Sequence, residues 1–377
     1  MSLQGIQNLN KMNKYKVAVL VLTIPLLFTL CKRESDIELN LADQFEYDDT
    51  PYDLEYAGFA DPDLGDNPLT IEGVKLGRML FYEPSLSKDG SMFCGSCHLQ
   101  EYAFSDTAQF SIGVEGLPGG RQAMAVFNTA WHTNEFFWDG RAHLLRDQSL
   151  KPIQDPLEMN ETLENAIDKL SEMGIYQIQF KKAFGDEEIT SERMSLALEQ
   201  FMNSIVSNKS KYDKYLAGEE TLTDSEERGR VLFFTEYDQY FPELSGADCA
   251  HCHGGTNFDN NDYMNNGLDE LSEQTDEGRM KVTGDPMDRA KFKVTSLRNI
   301  ELTPPYMHDG RFSTLEEVVD HYDHGIHKSP TLDFALDNTT NTGLRLTDQD
   351  KKDLIAFLKT LTDQELIANE AYSNPFE

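Results

Sequence analysis

The chain has 377 residues, enough for two or three domains that each bury a core of their own. Acidic side chains outnumber basic ones 66 to 33, a formal charge of −33 that excludes the positive footprint of a nucleic-acid binder. With 39% hydrophobic and 26% charged residues the bulk reads as soluble and globular, and its acidity either keeps it dispersed or draws a basic partner.

At the N-terminus, Lys11, Lys14 and Lys16 precede an apolar run from Val17 to Leu30 that ends at Cys31. That run, interrupted by Pro25, falls short of the ~20 residues that span a bilayer. Residues 1–31 therefore read as a secretory signal, which places the mature chain in the periplasm or bacterial envelope. Leu30-Cys31 resembles a lipoprotein cleavage site, with Cys31 as the lipidated residue and the anchor as the one membrane attachment. Leu30 is larger than the residue usual there, so a plain cleaved signal and an uncleaved anchor remain alternatives. Residues 32–66 are acidic (Asp48, Asp49, Asp61, Asp63, Asp66) and lack apolar period, as a tether or an irregular arm does.

The other four cysteines form two identical patterns, Cys94-Gly95-Ser96-Cys97-His98 and Cys249-Ala250-His251-Cys252-His253. Both are C-x-x-C-H, the attachment pattern of c-type haem. Two thiols three positions apart on a turn each add to one vinyl group of a porphyrin, and the following histidine sits under the iron. At this composition one such pattern arises by accident in about one chain per thousand. A Cys₄ zinc site, thioredoxin-like pairs and disulfides are the competing readings. The long separation of the two pairs and the histidine after each argue against zinc.

An internal repeat assigns one haem to each half. Gly77-Arg78-Met79-Leu80-Phe81 precedes the first motif, and Gly229-Arg230-Val231-Leu232-Phe233 precedes the second. Asn128 and Asn299 follow in like settings, then Trp138-Asp139-Gly140-Arg141 and His308-Asp309-Gly310-Arg311. Each half closes with an amphipathic helix. One starts at Thr190, with Met194, Leu198, Phe201 and Ile205 on a face; the other starts at Thr347, with Leu354, Ile355, Phe357, Leu358 and Leu361. The expectation is an all-α chain of two tandem cytochrome c-like domains, residues 67–210 and 211–368. A linker is expected between Asn208 and Thr221, where charges and Gly218 break the pattern.

CGSCH at 94–98, FWDGRA at 137–142, DQSLKPIQDPLEM at 147–159, CAHCH at 249–253 and FKVTSLRNIELTPPYMHDGRF at 292–312 together resemble the bacterial di-haem cytochrome c peroxidase family, which includes MauG. The resemblance covers roughly residues 67–365. It implies that the N-terminal haem meets hydrogen peroxide while the C-terminal haem passes electrons from a small cytochrome c or cupredoxin. It implies Glu158 as acid and base in O–O cleavage, Gln148 beside it, and Trp138 as the relay between haems. Without it, Glu158 is one more surface glutamate and Trp138 a packed aromatic. It further implies a calcium ion between the domains, held at Thr303 and Pro305, with Gln122 where an asparagine is usual. A homodimer is open.

Two departures bear on mechanism. Many members carry a histidine after Ser-Ile-Gly that caps the peroxidatic iron until the other haem is reduced. Here Ser111-Ile112-Gly113 leads to Val114, which cannot ligate iron, so the His98 haem is expected to be open without reductive activation. His132 and His143 are the remaining candidates for a cap. The far ligand of the His253 haem, a methionine in many members, falls on Tyr322, as in MauG, with His321 and Met307 as competitors. A phenolate favours ferric iron and lowers the potential. The expected activity is peroxide reduction to water. The alternatives are MauG-like oxidation of a partner protein's side chain and plain electron carriage, which would need both irons six-coordinate.

Overall fold

The computed structural model describes residues 45–377; the signal segment and Cys31 lie outside the described residues. The first half carries α1 (Ile71–Phe81), α2 (Leu145–Ser149), α3 (Leu163–Ser171), α4 (Gly174–Phe184) and α5 (Ser191–Ser204). The second carries α6 (Lys211–Leu216), α7 (Asp224–Phe234), α8 (Leu315–His324) and α9 (Asp348–Lys359). Between α7 and α8 runs a short antiparallel ribbon of β1 (Tyr263–Met264) and β2 (Phe292–Lys293), with Tyr263 opposite Lys293. The chain is thus mainly helical, with long irregular loops around the sites.

The two closing helices begin where the sequence places them. Thr190 caps α5 by accepting from Arg193 N, and Thr347 caps α9 by accepting from Asp350 N. In the first half α1 packs on α5, where Leu76, Leu80, Phe81 and Phe201 lose all or nearly all contact with water. In the second α7 packs on α9 around Phe233, Phe258 and Phe357. Each such side chain contributes about 1.5–3 kcal/mol on burial. The repeated glycines explain how the helices meet. A Cβ on Gly77 would lie 1.9 Å from Ala197 O, and one on Gly229 would lie 1.9 Å from Asp353 O.

The repeated asparagines are both left-handed, Asn128 at φ 53° and Asn299 at φ 59°, a conformation asparagine tolerates. They clip the halves together at one residue. Asn128 takes Ser207 N (2.8 Å) and gives Nδ2 to Ser207 O (3.0 Å), while Asn299 gives Nδ2 to Ser207 Oγ (2.9 Å).

The segment from Asn208 to Thr221 contains α6, which opens on a reciprocal Ser210–Asp213 cap. Asp213 then takes the Arg298 guanidinium on both oxygens (2.8 Å each). Arg298 is 2% exposed, and a buried guanidinium demands such a partner. Both chain ends of the described region also return to the first core. Tyr52 and Leu54 of the acidic arm pack against it, as do Leu366 and Tyr372 of the tail.

Candidate haem sites and the Trp138 turn

Each C-x-x-C-H forms one tight turn, with His98 N on Cys94 O (3.0 Å) and His253 N on Cys249 O (2.9 Å). Thiols and imidazole therefore leave a single coil. Behind each histidine a left-handed phenylalanine aims its carbonyl at the ring. His98 Nδ1 donates to Phe104 O (3.0 Å), and Phe104 has φ 59°. His253 Nδ1 donates to Thr295 O (3.1 Å) and Phe258 O (3.3 Å), and Phe258 has φ 54°. A donated Nδ1–H fixes the tautomer and presents Nε2 as the ligand nitrogen. Burial pulls both histidines below their usual range, His253 to about 4, which disfavours the charged ring. These residues fit two covalent haems.

At the first site, Glu158 stands on the folded segment that also carries Gln148 in α2. Its N donates to Asp155 O (3.0 Å), and Met159 N returns to Pro152 O (3.2 Å). The Val114 loop locks onto this segment. Val114 N donates to Glu158 O (2.9 Å), and a Cβ on Gly113 would lie 2.1 Å from Leu157 O. Glu115 next to it takes Asn160 Nδ2 (2.8 Å) and an ion pair from Lys88. Burial pushes the Glu158 carboxyl up to about 7, with Asp155 adding to the rise and Arg141 opposing it. Burial is also the main cause that raises the Cys94 and Cys97 thiols; the Glu158 carboxylate contributes to both, so it stands within electrostatic reach of the haem motif. His132 stacks on Phe136 and faces Asp259 of the second half at 3.9 Å, and His143 is exposed ahead of α2.

The second site is a cavity of about 240 Å³ lined by Cys249, Cys252, His253, Tyr322 and Met307. Its wall continues into the first half through Gln122 and Trp138, and includes Thr303 and Pro305. Burial pushes the Tyr322 phenol up to about 12, opposed by a hydrogen bond from Asn266. His321 is engaged elsewhere, its Nε2 donating to Asn266 O (3.1 Å). Gln122 is buried, and its Nε2 donates to Ser105 Oγ (3.0 Å), leaving Oε1 as the acceptor end. His251, Cys252 and Asp333 converge within metal-ligand distance, but Cys252 belongs to the haem motif.

Trp138 lines the second-site cavity from a turn whose twin carries His308. Both turns close by the same pairing, Phe136 with Ala142 and Tyr306 with Phe312. Trp138 Nε1 donates to Gln122 O (2.8 Å), and the indole meets His308 edge-on with centroids 6.5 Å apart. A clamp the sequence did not advertise holds this turn. Arg279 donates to Asp139 O and Gly140 O (3.0 Å each) and to Glu135 (3.1 Å), lying over the Tyr263 ring. Arg121 adds an ion pair to Asp139 (2.7 Å) and grips Asp276.

A mainly helical chain with two C-x-x-C-H turns, each histidine backed by a carbonyl, defines a di-haem cytochrome of the c type. Comparison with known proteins then specifies the family. A profile of di-haem cytochrome c peroxidases matches residues 71–221. The cytochrome c551 peroxidase of Nitrosomonas europaea is 36% identical over 302 residues, 78% of this chain and 81% of that protein. The methylamine utilization protein MauG of Methylorubrum extorquens is 34% identical over 296 residues, covering 78% and 79%. The crystal structure of a MauG-like protein associated with microbial copper homeostasis superposes with a TM-score of 0.74 at 35% identity, covering 86% of this chain and 99% of that one. The chain belongs to the di-haem cytochrome c peroxidase family. It is a peroxidase-class oxidoreductase with two haems, acting on hydrogen peroxide together with an electron donor or partner protein. No helix among the described residues is long and apolar enough to cross a membrane.

Proposed function

We propose that the protein reduces hydrogen peroxide to water at the His98 haem, using two electrons and two protons per peroxide, without prior reductive activation. When bound, that haem supplies the redox centre at which the O–O bond breaks. Glu158 takes the proton from one peroxide oxygen and returns it to the other, which leaves as water. A carboxyl near pH 7 in affinity suits both halves of that task. Gln148 would orient the peroxide from the same folded segment. The observation that carries the reading is the Val114 loop. It offers no imidazole and is pinned to Glu158 by its own backbone.

Cys249, Cys252 and His253 would hold the second haem, with Tyr322 as its far ligand and Trp138 as the relay. Calcium would sit at Gln122, Thr303 and Pro305, which share the wall between the halves. A small cytochrome c or cupredoxin would supply the electrons in the bacterial envelope. Tyr322 also favours a second reading, MauG-like oxidation of a partner protein, since a phenolate-ligated haem is a poor acceptor from an ordinary donor. Electron paramagnetic resonance of the oxidised protein, with peroxide turnover on the same sample, tests the first reading. One high-spin and one low-spin ferric haem with immediate turnover are expected. Two low-spin haems, silent until reduced, would mean that another residue caps the first iron. Steady turnover with a reduced small cytochrome separates the peroxidase from the partner-oxidising reading.

A further inference from the structure

We infer that Asn266 is the positioning residue that makes Tyr322, rather than Met307, the far ligand of the second haem. The inference rests on the Tyr322 ligation proposed above and adds what selects it. Tyr322 and Met307 both line the cavity that contains Cys249, Cys252 and His253. Asn266 Nδ2 stands between them, donating to Tyr322 Oη at 3.4 Å and to Met307 Sδ at 3.3 Å. Two groups that reach one amide also reach the same side of the cavity. Either could serve as sixth ligand, and a local preference must decide.

The amide supplies that preference. An ionised phenolate has lone pairs enough to bind iron and accept an N–H together, and a hydrogen bond to a charged oxygen is about twice as strong as a neutral one. A thioether is a weak acceptor and gains no such bond on ligation. The same N–H also holds the Met307 sulfur, and ligation by methionine would have to break that contact. One side chain thus favours tyrosinate and restrains its competitor.

Asn266 is fixed well enough to do this. Its carbonyl takes His321 Nε2 (3.1 Å), so the residue next to Tyr322 in α8 ties the helix to the amide's own loop. Before it, Asn265 is 2% exposed and donates to Ser329 Oγ (3.1 Å) and Thr331 Oγ1 (2.9 Å). After it, Gly267 N returns to Asn265 Oδ1 (2.9 Å), and Gly267 sits at φ 66°. His321 is thereby placed as a tie between α8 and this loop.

The test compares ferric spectra and second-haem potentials of the holoprotein and its variants, each checked for two covalent haems per chain. Tyr322→Phe should replace the tyrosinate signature with that of methionine ligation, including its weak near-infrared charge-transfer band. Asn266→Ala should move part or all of the signal the same way and raise the potential, and adding Met307→Leu should abolish the new band. Asn266→Ser serves the same purpose if the alanine variant fails to load haem. Asn266 variants with two haems and an unaltered tyrosinate signal would overturn the role of Asn266. An unaltered signal in Tyr322→Phe would instead overturn the ligation reading beneath it.

Discussion

Glu158 is raised because its carboxyl is taken out of water without a cation close enough to compensate; Arg141 lowers it only in part. The sign of the pH effect follows. In the proposed role Glu158 takes a proton from peroxide and is competent only when ionised, so kcat/KM for peroxide should fall as pH drops through about 7. Glu158→Gln keeps shape and burial but cannot carry the proton. It should cost about 10²–10⁴-fold in turnover, leave the second haem's spectrum unchanged and abolish that inflection. Retention of the inflection in Glu158→Gln would assign it to another group. The residue scale also shows how a sequence conceals chemistry. Cys94, Cys97, His98 and their twins are legible because covalent attachment demands a fixed local spacing. Asn266 and Arg279 are not, because each acts across the fold on a residue distant in sequence, with no spacing to mark it.

Among the elements, the Gly-Arg-x-Leu-Phe repeat records a packing demand that the letters alone leave unexplained. Helical glycine costs about 1 kcal/mol relative to alanine, so Gly77 and Gly229 need a reason, and the facing backbones of α5 and α9 supply it. Gly77→Ala and Gly229→Ala should each destabilise by about 1–3 kcal/mol in denaturant unfolding, overriding the propensity gain. Gly174→Ala, at the open start of α4 with nothing near its Cβ, should be neutral or mildly stabilising. Equal behaviour of all three would remove close helix approach as the cause. The capped starts of α5 and α9 were readable because threonine before an apolar period is a local signal. The stretch around α6 was not. Its charges and Gly218 mark only a break in the pattern, and nothing local announces that Asp213 is held by the buried Arg298 from 85 residues further along the chain. The return of Leu366 and Tyr372 to the first core is likewise a tertiary fact, without periodicity to announce it.

For the molecule as a whole, the relay proposed for Trp138 requires the two halves to keep one geometry at its turn. That turn belongs to the first half, yet its carbonyls are held by Arg279 of the second, and Gly140 leaves room for the contact. A Cβ there would lie 2.1 Å from Arg279 Nη1 and 2.2 Å from Tyr263 Oη. The guanidinium spans two carbonyls and the Glu135 carboxylate at once, which the single point charge of lysine cannot do. Arg279→Ala should therefore loosen the turn that carries the proposed relay Trp138 without touching the residues proposed to hold either haem. Pre-reduced variant mixed with peroxide should show second-haem oxidation slowed about 10- to 100-fold, the scale of a small misplacement of a reacting group. Ferric spectra and the peroxide reaction of the first haem should match the parent protein, and Arg279→Lys should restore little of the rate. A folded Arg279→Ala protein with undiminished electron transfer would show that the indole keeps its place without the clamp. The burden of holding it would then fall on the Trp138 bond to Gln122 and the Arg121 pair with Asp139.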